Sequence, residues 1–463
     1  MPISQNTKTS ATEVVSASAP ERLSALPVVT RSQKWWCVIL GTLFAFEIID
    51  VYSFSYAAPA ITAEWGLSLH SVGIVTSATF LGMFLGGVAG GRICDRFGRK
   101  RTIIGASLLY SLLSLVTAFA TNVEFIVVTR FFTGCGLLTM AGALIVYVAE
   151  MYPRHSRGRY QSLLIAIGLL GVPLAAWMSR LLISLGPEMW RGIFVIGSLG
   201  AVAGIAAIWI LPESVRWQSL RGHDEAASAT VARLEMEAIK KTGKALPDPV
   251  PEPPVAPGRV SELLKGRNLR NSVVLSVGCV LIQIGFFGYN AYVPTLLAES
   301  GYTTSQTLMF TSIFSIAAVP GALLAWPIVD RYERKLLLAV TTVILGALFV
   351  VFGIAAVPGI QLATGVLITM LLQSVTVFSY AYLPEMFPTH LRGVGAGIAN
   401  GLGRLGVFLG GFVFATMVTV LGFAGYFIAM AVILVLGGAV LGIFGMRTTN
   451  RPLVENAGTQ PRQ

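Results

Sequence analysis

Twelve apolar runs constrain the fold of this chain more than any other feature of its sequence. Each run has about the 20 residues that an α-helix needs to cross a bilayer. The runs lie near residues 35–60, 72–92, 102–121, 125–148, 160–184, 192–211, 273–297, 307–329, 337–356, 360–383, 394–420 and 422–446. Charged residues form only 12% of the chain, whereas soluble domains carry about 25%. The sequence therefore predicts an all-α membrane protein with twelve transmembrane helices and argues against a soluble enzyme.

The distribution of basic residues predicts how the chain is oriented. If the N-terminus is cytoplasmic, nearly all Lys and Arg residues fall in cytoplasmic tails and loops, and only Arg180 and Arg191 fall on the other side. Cytoplasmic loops of membrane proteins carry an excess of Lys and Arg. We therefore expect a multi-pass protein of the cell membrane with both termini in the cytoplasm. The net charge of +11 follows from these loops, so we expect no nucleic-acid partner.

Three segments lie outside the spans. Residues 1–34 are rich in Ser, Thr, Ala and Pro, and we expect them to form a disordered cytoplasmic tail. Residues 212–270 are expected to form a cytoplasmic linker, in which a helix from Asp224 to Lys241 ends at Gly243 and a proline-rich stretch follows. Residues 447–463 form a second tail. These boundaries leave two bundles of six helices, at 35–211 and 271–446.

Two motifs recur at one spacing. The run Asp95–Lys100, DRFGRK, returns as DRYERK from Asp330. The run Glu150–Gly158, EMYPRHSRG, returns as EMFPTHLRG from Glu385, and the offset between its two copies is identical to that of the first pair. Two matches at one offset indicate that the chain contains two homologous halves in the same orientation. The predicted architecture is therefore a pair of pseudo-symmetric six-helix bundles.

Several motifs carry a family resemblance over about residues 35–446. The loop GRICDRFGRKR at 91–101 resembles the signature loop of the major facilitator superfamily, and RFFTG from Arg130 resembles its second motif. The segment PESVRW at 212–217 is similar to the element that closes the sixth span in sugar porters, niacin transporters and organic-ion carriers. The resemblance implies secondary active transport by alternating access, around a site between the two bundles.

Three further motifs resemble the aromatic-acid and metabolite proton symporters of that superfamily. They are EIID at 47–50, YVPT at 292–295 and GLGRLG at 401–406. That branch usually has Asp-Gly-x-Asp in the first span, and Glu47 and Ile48 replace its first two members here. In the second signature loop, Trp326 and Glu333 stand where the first has Gly91 and Gly98, so we expect the second half to pack or gate less tightly there.

Two carboxylates lie deep in the first predicted span. Glu47 and Asp50 lie about 12 and 15 residues into it, near the middle of the bilayer. A charge at that depth costs about 2.5–3.5 kcal/mol, so each carboxylate must face a cavity, pair with a cation or bind a proton. We interpret Asp50 and Glu47 as proton-coupling residues. The alternative is a structural ion pair with Arg130 or with Arg404.

Two arginines also lie within spans. Arg130 lies about five residues into the fourth, where its side chain could reach the interface, and the motif resemblance implies a coupling role. Arg404 lies deeper, in the eleventh, and its planar guanidinium suits bidentate binding of a substrate carboxylate. The alternative for Arg404 is a standing ion pair with Asp50 or Glu47.

Aromatic and amide side chains in the seventh and tenth spans could complete a substrate site. The candidates are Tyr289, Asn290, Gln373 and Tyr380. Aromatic residues at helical spacing more often belong to the core or face lipid. The amides of Gln283, Asn290, Gln373 and Asn400 would instead suit the hydroxyl groups of a sugar.

Charged residues at the ends of the second, fourth, eighth and tenth spans are candidates for gating. They are Asp95, Arg96, Arg99, Glu150 and Arg157 in the first half, and Asp330, Arg331, Glu385 and Arg392 in the second. An acid among several cations can form ion pairs with the ends of neighbouring helices. The alternative is that these charges only set the topology.

The sequence therefore favours a secondary active transporter that moves protons together with a small organic anion or metabolite, for which an aromatic carboxylate is one candidate. The alternatives are a proton-coupled sugar or polyol carrier, a proton antiporter that exports a metabolite, and a sensor that does not transport. We expect no cofactor or metal and no enzymatic activity, because neither a nucleophile and base nor a metal cluster is legible. The expected partners are the substrate, protons and the lipid bilayer, and the expected state is a monomer.

Overall fold

The computed structural model describes residues 17–249, 260–329, 331–388 and 391–448. The helices of the first half are α1 (Ala19–Ser24), α2 (Arg31–Trp65), α3 (Leu69–Phe97), α4 (Arg99–Thr117), α5 (Val123–Met151), α6 (Arg157–Leu169), α7 (Gly171–Ile183), α8 (Trp190–Ser198) and α9 (Gly200–Ile210). The linker contains α10 (Val215–Leu220), α11 (Asp224–Thr242) and α12 (Val260–Leu263). The second half contains α13 (Gly266–Glu299), α14 (Thr304–Ile316), α15 (Ala318–Val329), α16 (Arg334–Ile354), α17 (Pro358–Glu385) and α18 (Arg392–Phe444).

The described helices account for the twelve predicted spans. Ten stretches are long and apolar enough to cross a membrane. The stretch in α18 contains two spans, because Gly422 with φ of 68° divides that helix. Helix α4, with 19 residues, supplies the remaining span. The prediction of an all-α membrane fold is therefore confirmed.

The repeat extends over the whole of both bundles. Helices α13, α14, α16, α17 and α18 begin after α2, α3, α4, α5 and α6, respectively, by the same offset that separates the repeated motifs. Each half also has its own apolar core. One buried cluster contains only residues between Ala19 and Ala238, and another contains only residues between Leu263 and Leu441. The two halves are therefore two separately packed bundles.

The bundles meet at one end of the molecule. We call the end that carries Asp95 and Glu385 the basic end. Towards the opposite end, Ser55 Oγ donates to the carbonyls of Asn290 and Ala291, at 2.9 and 2.8 Å. Two more serines bridge the halves there, since Ser77 Oγ donates to Phe408 O and Ser312 Oγ donates to Ala176 O, at 2.9 and 3.2 Å.

The basic end is more open. In α3, which packs against both halves, residues 71–80 are buried or half-buried, whereas most of residues 85–97 are exposed. The three serine bridges hold the bundles together towards the opposite end, and none of the hydrogen bonds or ion pairs between described residues joins the bundles at the basic end.

The segment before α2 differs from the expected disordered tail. Residues 17–34 contain α1, and the side chains of Leu23, Leu26 and Val29 are buried against α11. Arg22 of α1 forms an ion pair with Glu235 of α11. These apolar side chains cover the inner face of α11, and that burial stabilises an ordered segment that the local composition does not predict. Residues 1–16 lie outside the described part of the chain.

The linker agrees with its predicted helix. Helix α11 runs from Asp224 to Thr242, and Gly243 follows with φ of 65°, a left-handed conformation that favours glycine. The proline-rich residues 250–259 and the tail from residue 449 onward lie outside the described part of the chain.

Candidate functional site

A buried ion pair joins the first and fourth spans. Arg130 Nη1 of α5 lies 2.9 Å from Asp50 Oδ1 of α2, and both side chains are fully buried. Arg130 Nη2 also donates to the backbone carbonyl of Asp50, at 2.9 Å. Of the ion pairs considered for Asp50 from the sequence, the structure therefore forms the one with Arg130. The expectation that Arg130 could reach the interface is wrong, because its guanidinium points inward to Asp50.

The two oxygens of the Asp50 carboxylate have different surroundings. Oδ1 accepts hydrogen bonds from Arg130 and from the hydroxyls of Ser114 and Ser53, at 2.9 and 3.3 Å for the two serines. Oδ2 is buried and accepts no hydrogen bond from the described residues. One oxygen thus holds the ion pair, and the other is a buried acceptor with nothing bound to it.

Glu47 and Arg404 lie on the basic side of this pair. Glu47 is buried one helical turn before Asp50, and it makes no hydrogen bond or ion pair within the described residues. Arg404 is the cation whose charge would act on an ionised Glu47. The Arg404 guanidinium carbon lies 4.7 Å from the centre of the Phe287 ring and 5.8 Å from that of Phe80. Its Nε and Nη1 atoms are buried and have no hydrogen-bond partner among the described residues.

The same two rings line a cavity between the halves. The residues that line this central cavity include Phe80, Phe287, Tyr52, Arg130 and Asn290, and its empty space of about 370 Å³ includes the part that is open to solvent. Phe80 and Phe287 therefore contact both the cavity and Arg404, and Arg404 itself is not among the residues that line the cavity. Phe287 was among the seventh-span aromatic residues that the sequence suggested for a substrate pocket, whereas Phe80 and Tyr52 were not.

The remaining substrate candidates lie in different environments. Tyr289 is buried, stacks on Phe349 with ring centres 5.4 Å apart, and lines a second cavity that also includes Asn290. Gln373 is buried and lines neither of these two cavities. Tyr380 is 48% exposed and also lines neither. The structure thus places Tyr289 and Asn290 beside the space between the halves and places Gln373 and Tyr380 elsewhere.

Two acidic gating candidates of the first half, Asp95 and Glu150, both pair with Arg99. Arg99 forms ion pairs with Asp95 at 3.1 Å and with Glu150 at 2.9 Å. Arg96 is exposed and lies against the Phe97 ring. Arg157 donates to the Tyr152 carbonyl at 2.9 Å.

Glu213 is a further member of this cluster that was not chosen as a site residue. Its Oε1 accepts the backbone N–H groups of Arg99 and Lys100, at 2.8 and 2.9 Å, so it caps the first turn of α4. A side chain at Gly98 would overlap this carboxylate. The signal for Glu213 in the sequence was its place in the PESVRW segment.

The second half has a smaller version of this cluster. Arg334 Nη1 lies 2.7 Å from Glu385 Oε2, and Arg392 Nε donates to the Phe387 carbonyl at 3.3 Å. Arg331 is exposed, and Asp330 lies outside the described residues. The gating candidates that pair through side chains in the described structure do so within one bundle, so in this conformation they join helices of the same half.

Comparison with known proteins agrees with the fold. The model of the family described as "Sugar (and other) transporter" matches residues 29–457. A putative metabolite transport protein of Bacillus subtilis is 33% identical over 94% of this chain and 97% of its own length. The niacin transporter of Acinetobacter baylyi is 31% identical over 90% and 94%. A 4-hydroxybenzoate transporter of Pseudomonas aeruginosa is 27% identical over 83% and 86%.

Solved structures share the fold. A crystal structure of a D-xylose–proton symporter has a TM-score of 0.69 and 20% identity, over 91% of this chain and 99% of that one. The inward-open conformation of the xylose transporter of E. coli has a TM-score of 0.70 and 18% identity, over 92% and 99%. The twelve-helix fold, the family model and the full-length relatives agree, so this chain belongs to the sugar (and other) transporter family of the major facilitator superfamily and is a multi-pass membrane transporter.

Proposed function

We propose that this transporter carries a small organic anion, an aromatic carboxylate, together with protons, by alternating access around the central cavity. The observation that carries the proposal is the Arg404 guanidinium, with two buried nitrogens that lack a partner among the described residues and two aromatic rings against its face. An arginine cannot lose its proton to escape burial, so those N–H groups need an acceptor. A carboxylate supplies two oxygens in the geometry of the guanidinium fork.

The surroundings of Arg404 favour an aromatic anion. Phe80 and Phe287 line the cavity and offer ring faces and edges to a flat ligand. Two relatives are named for niacin and for 4-hydroxybenzoate, which are both aromatic rings with one carboxylate. We therefore assign the substrate carboxylate to Arg404 and the ring to the central cavity, beside Asn290.

Proton coupling is assigned to Glu47 and Asp50. When Glu47 is ionised, its charge compensates Arg404, and a proton on Glu47 releases Arg404 for the substrate carboxylate. Asp50 can take its proton on Oδ2, the oxygen that accepts no hydrogen bond from the described residues, and this weakens the ion pair with Arg130. Because Arg130 lines the central cavity, the state of this pair alters the charge at the cavity wall.

The basic end is assigned to the cytoplasm and the protein to the cell membrane, with both termini cytoplasmic, because Lys and Arg concentrate at that end. The described conformation is then open to the cytoplasm. The pairs of Arg99 with Glu150 and of Arg334 with Glu385 hold the helix ends of each bundle while the bundles rock as rigid bodies.

A sugar or polyol is the second candidate substrate, because the family model is described by sugar transport and the xylose symporter shares the fold. The amides that would serve a sugar are partly engaged, since Gln283 Nε2 donates to Asn400 Oδ1 at 3.1 Å. Gln283 Oε1 is buried without a partner in the described structure and could accept a sugar hydroxyl.

A competition panel in proteoliposomes distinguishes the candidates. Vesicles with an imposed pH gradient are given labelled 4-hydroxybenzoate or nicotinate, with protein-free vesicles as the control for passive entry of the neutral acid. We expect unlabelled aromatic acids, and not xylose or polyols, to displace the label. Displacement by sugars only would support the second candidate. Binding of acids without any flux would support a sensor, and accumulation only under a reversed gradient would support antiport.

A further inference from the structure

The sixth span packs directly on the ion pair of Asp50 and Arg130. Helix α8, the first part of this span, carries Gly197, and a Cβ added there would lie 3.2 Å from Asp50 Oδ1 and 3.0 Å from Ser114 Oγ. The Phe194 ring of α8 lies 5.9 Å from the Arg130 guanidinium carbon, measured to the ring centre. Asp50 itself does not line the central cavity. Helix α8 therefore lies against both members of the pair from within the first bundle.

Ser114 of α4 connects Asp50 to α8. Its hydroxyl oxygen lies 2.9 Å from Asp50 Oδ1 and 3.1 Å from the Phe194 carbonyl oxygen, and both distances allow a hydrogen bond. A serine hydroxyl has only one proton to donate. Because Ser114 is fully buried, bulk water offers it no further acceptor. The carboxylate of Asp50 and the carbonyl of Phe194 therefore compete for one donor.

The charge of Asp50 decides this competition. A hydrogen bond to an ionised carboxylate is stronger than one to a neutral carbonyl, so the hydroxyl points to Asp50 while that side chain is charged. A proton on Oδ2, the oxygen that accepts no hydrogen bond from the described residues, leaves Oδ1 uncharged. The Phe194 carbonyl then competes on equal terms, and the Ser114 hydroxyl can turn to it.

The helices around Asp50 bring other charged or titratable groups to it. They are Arg130 of α5, Glu47 of α2 and Tyr110 of α4. The charged residue of α8 is Arg191, whose Nη1 donates to the carbonyls of Ala118 and Ala120 instead, at 3.0 and 2.7 Å. What α8 offers to the ion pair is therefore a backbone carbonyl, which Ser114 reaches.

The sixth span changes its hydrogen bonding about one turn after Phe194. The Leu199 N–H donates to the Ile196 carbonyl, and the Val202 N–H donates to the Leu199 carbonyl, both at 3.0 Å. These are bonds between residues three apart, as in a 3₁₀-helix, and such a step inside a longer helix often marks a hinge. The step separates α8 from α9, so α8 can shift its contacts without moving the whole span.

We propose that Ser114 is a positioning residue for proton coupling, whose hydroxyl donates to Asp50 when Asp50 is ionised and to the Phe194 carbonyl when Asp50 is protonated. The hydroxyl keeps its own proton in both states and only turns. This inference rests on the proposed coupling role of Asp50 and adds the helix that responds to it. Proton loading weakens the ion pair with Arg130 and, through Ser114, fastens α8 to α4.

The pH dependence of uptake tests the bond from Ser114 to Asp50. Ser114→Ala removes a donor that stabilises the ionised carboxylate, so uptake of labelled 4-hydroxybenzoate should persist to a pH about 0.5–1 unit higher than in the wild type. Protein-free vesicles correct for passive entry at each pH. Ser107→Ala is the matched control and should keep the wild-type profile, because the Ser107 hydroxyl donates to the Ile104 carbonyl of its own helix, at 2.8 Å.

Two negative results of this experiment have different meanings. A wild-type profile in Ser114→Ala, with proton entry still accompanying uptake, would overturn the role of Ser114 and leave the proposed coupling intact. Uptake by the wild type without any proton entry would refute the proposed coupling itself.

Amide hydrogen exchange of the purified protein tests the bond from Ser114 to Phe194 without transport. After correction for the intrinsic effect of pH, α8 should exchange about two- to tenfold faster in Ser114→Ala than in the wild type at a pH where uptake is maximal. The two proteins should agree at an alkaline pH where uptake has ceased, because the hydroxyl then belongs to Asp50. A difference of equal size at both pH values, or no difference at either, would show that the hydroxyl does not change its acceptor and would overturn the proposal.

Discussion

The two halves have the same helices and different interiors. At the positions that the repeat makes equivalent to Asp50, Arg130 and Ser114, the second half has Gly285, Gly365 and Phe349. The first half therefore holds a fully buried ion pair and a serine where the second half has two glycines and an aromatic ring.

The second half fills the corresponding space with apolar side chains. The Phe314 ring packs against Gly365, and Leu434 packs against Gly285. Tyr289 stacks on Phe349 and donates to the Gly365 carbonyl at 3.3 Å. The same helix arrangement thus holds a buried ion pair in the first half and an apolar interior in the second. The positions of the helices depend on how the interior is filled, whereas the chemistry of the site depends on which half carries the charge.

The two signature loops at the basic end also differ in chemistry. Each loop takes part in a hydrogen bond that a glutamate accepts, but the glutamate lies at a different position of the repeat in each half. In the first half Gly98 leaves room for the Glu213 carboxylate, which caps α4. In the second half the counterpart of Gly98 is Glu333, and its Oε1 accepts the backbone N–H of Thr448, the counterpart of Glu213, at 3.0 Å. Glu333 therefore stands at the glycine's position and makes a contact of its own with the residue that replaces the acid.

The largest expected effect comes from removing the charge that distinguishes the first half. Asp50→Asn should abolish accumulation of substrate against its gradient. It also leaves Arg130 buried without a counter-charge, at a cost of about 3–5 kcal/mol of stability. The variant Asp50→Asn with Arg130→Gln removes both charges and should recover the stability. Uptake and exchange of labelled 4-hydroxybenzoate in vesicles measure both functions.

In that double variant the first half becomes uncharged at this layer, like the second. We expect substrate exchange to persist while uphill accumulation stays lost. Accumulation at the wild-type level in the double variant would show that the ion pair is only structural and that the comparison of the halves says nothing about coupling.

The next effect concerns the charge of the second half. The counterpart of Arg404 in the first half is Leu169, so here the second half carries a charge that the first half lacks. Arg404→Ala should weaken binding of 4-hydroxybenzoate about tenfold to a hundredfold, because it removes hydrogen bonds to a charged group. Equilibrium binding to the purified protein measures this. Arg180→Ala is the control, since Arg180 lies over the Trp177 ring, 5.3 Å from its centre, and not at the cavity. Equal affinities of the two variants for 4-hydroxybenzoate would show that the anion does not bind at Arg404.

A smaller effect tests the apolar interior of the second half. A Cβ added at Gly365 would overlap the Phe314 ring, so Gly365→Ala should destabilise the protein by about 1–3 kcal/mol. Gly359→Ala in the same helix is the matched control, because its added Cβ would meet no atom within 4 Å. Thermal unfolding in detergent compares the two. If Gly365→Ala is as stable as the control, the second half is packed less tightly than the structure indicates.

The smallest expected effect concerns a contact that the first half makes with the linker. Partial burial raises the pKa of the Glu237 carboxyl, but hydrogen bonds from the side chain and backbone of Ser32 outweigh it, so this pKa is lowered. A lowered pKa means that the contact stabilises the fold above the unfolded pKa of Glu, about 4.3, and that this stability is lost as the pH falls through the folded pKa.

Ser32→Ala removes the hydroxyl donor to Glu237 and keeps the backbone N–H. We expect it to lower the free energy of unfolding by about 0.5–1.5 kcal/mol at pH 7. The difference from the wild type should shrink as the pH falls below about 4. Thermal unfolding at both pH values measures it, with Thr230→Ala as the control, since that hydroxyl donates only to Ala226 of its own helix. A difference that is the same at both pH values would show that Glu237 is not the partner that matters.

The sequence predicted how deep a residue lies in the membrane better than it predicted which way its side chain points. Apolar runs and the constant offset between the repeated motifs were enough to locate the spans and the repeat, and the cost of a mid-bilayer charge was enough to single out Asp50 and Arg404. Which arginine pairs with Asp50 depends on how each helix is rotated, and the weakly amphipathic spans do not reveal rotation. The choice of Tyr380 as a substrate candidate failed because the rotation of its helix was unknown. Tyr380 is 48% exposed and lines neither cavity.

Order near the N-terminus also depended on distant residues. The side chains that bury Leu23 belong to α11, which follows the whole of the first bundle in the chain, so the local composition of residues 17–34 could not reveal it. The cavities needed both halves to be assembled, so Phe80 and Tyr52 could be recognised as lining residues only in the folded structure.

Simultaneous recording of proton entry and 4-hydroxybenzoate entry in the same proteoliposomes tests the central claim most directly. A pH dye inside the vesicles reports protons, the labelled acid reports substrate, and protein-free vesicles correct for passive entry. The wild type should bring in protons in a fixed ratio to the acid, and the variant Asp50→Asn with Arg130→Gln should exchange the acid without net proton entry. Carrier-mediated entry of the acid into wild-type vesicles with no accompanying protons would contradict the account.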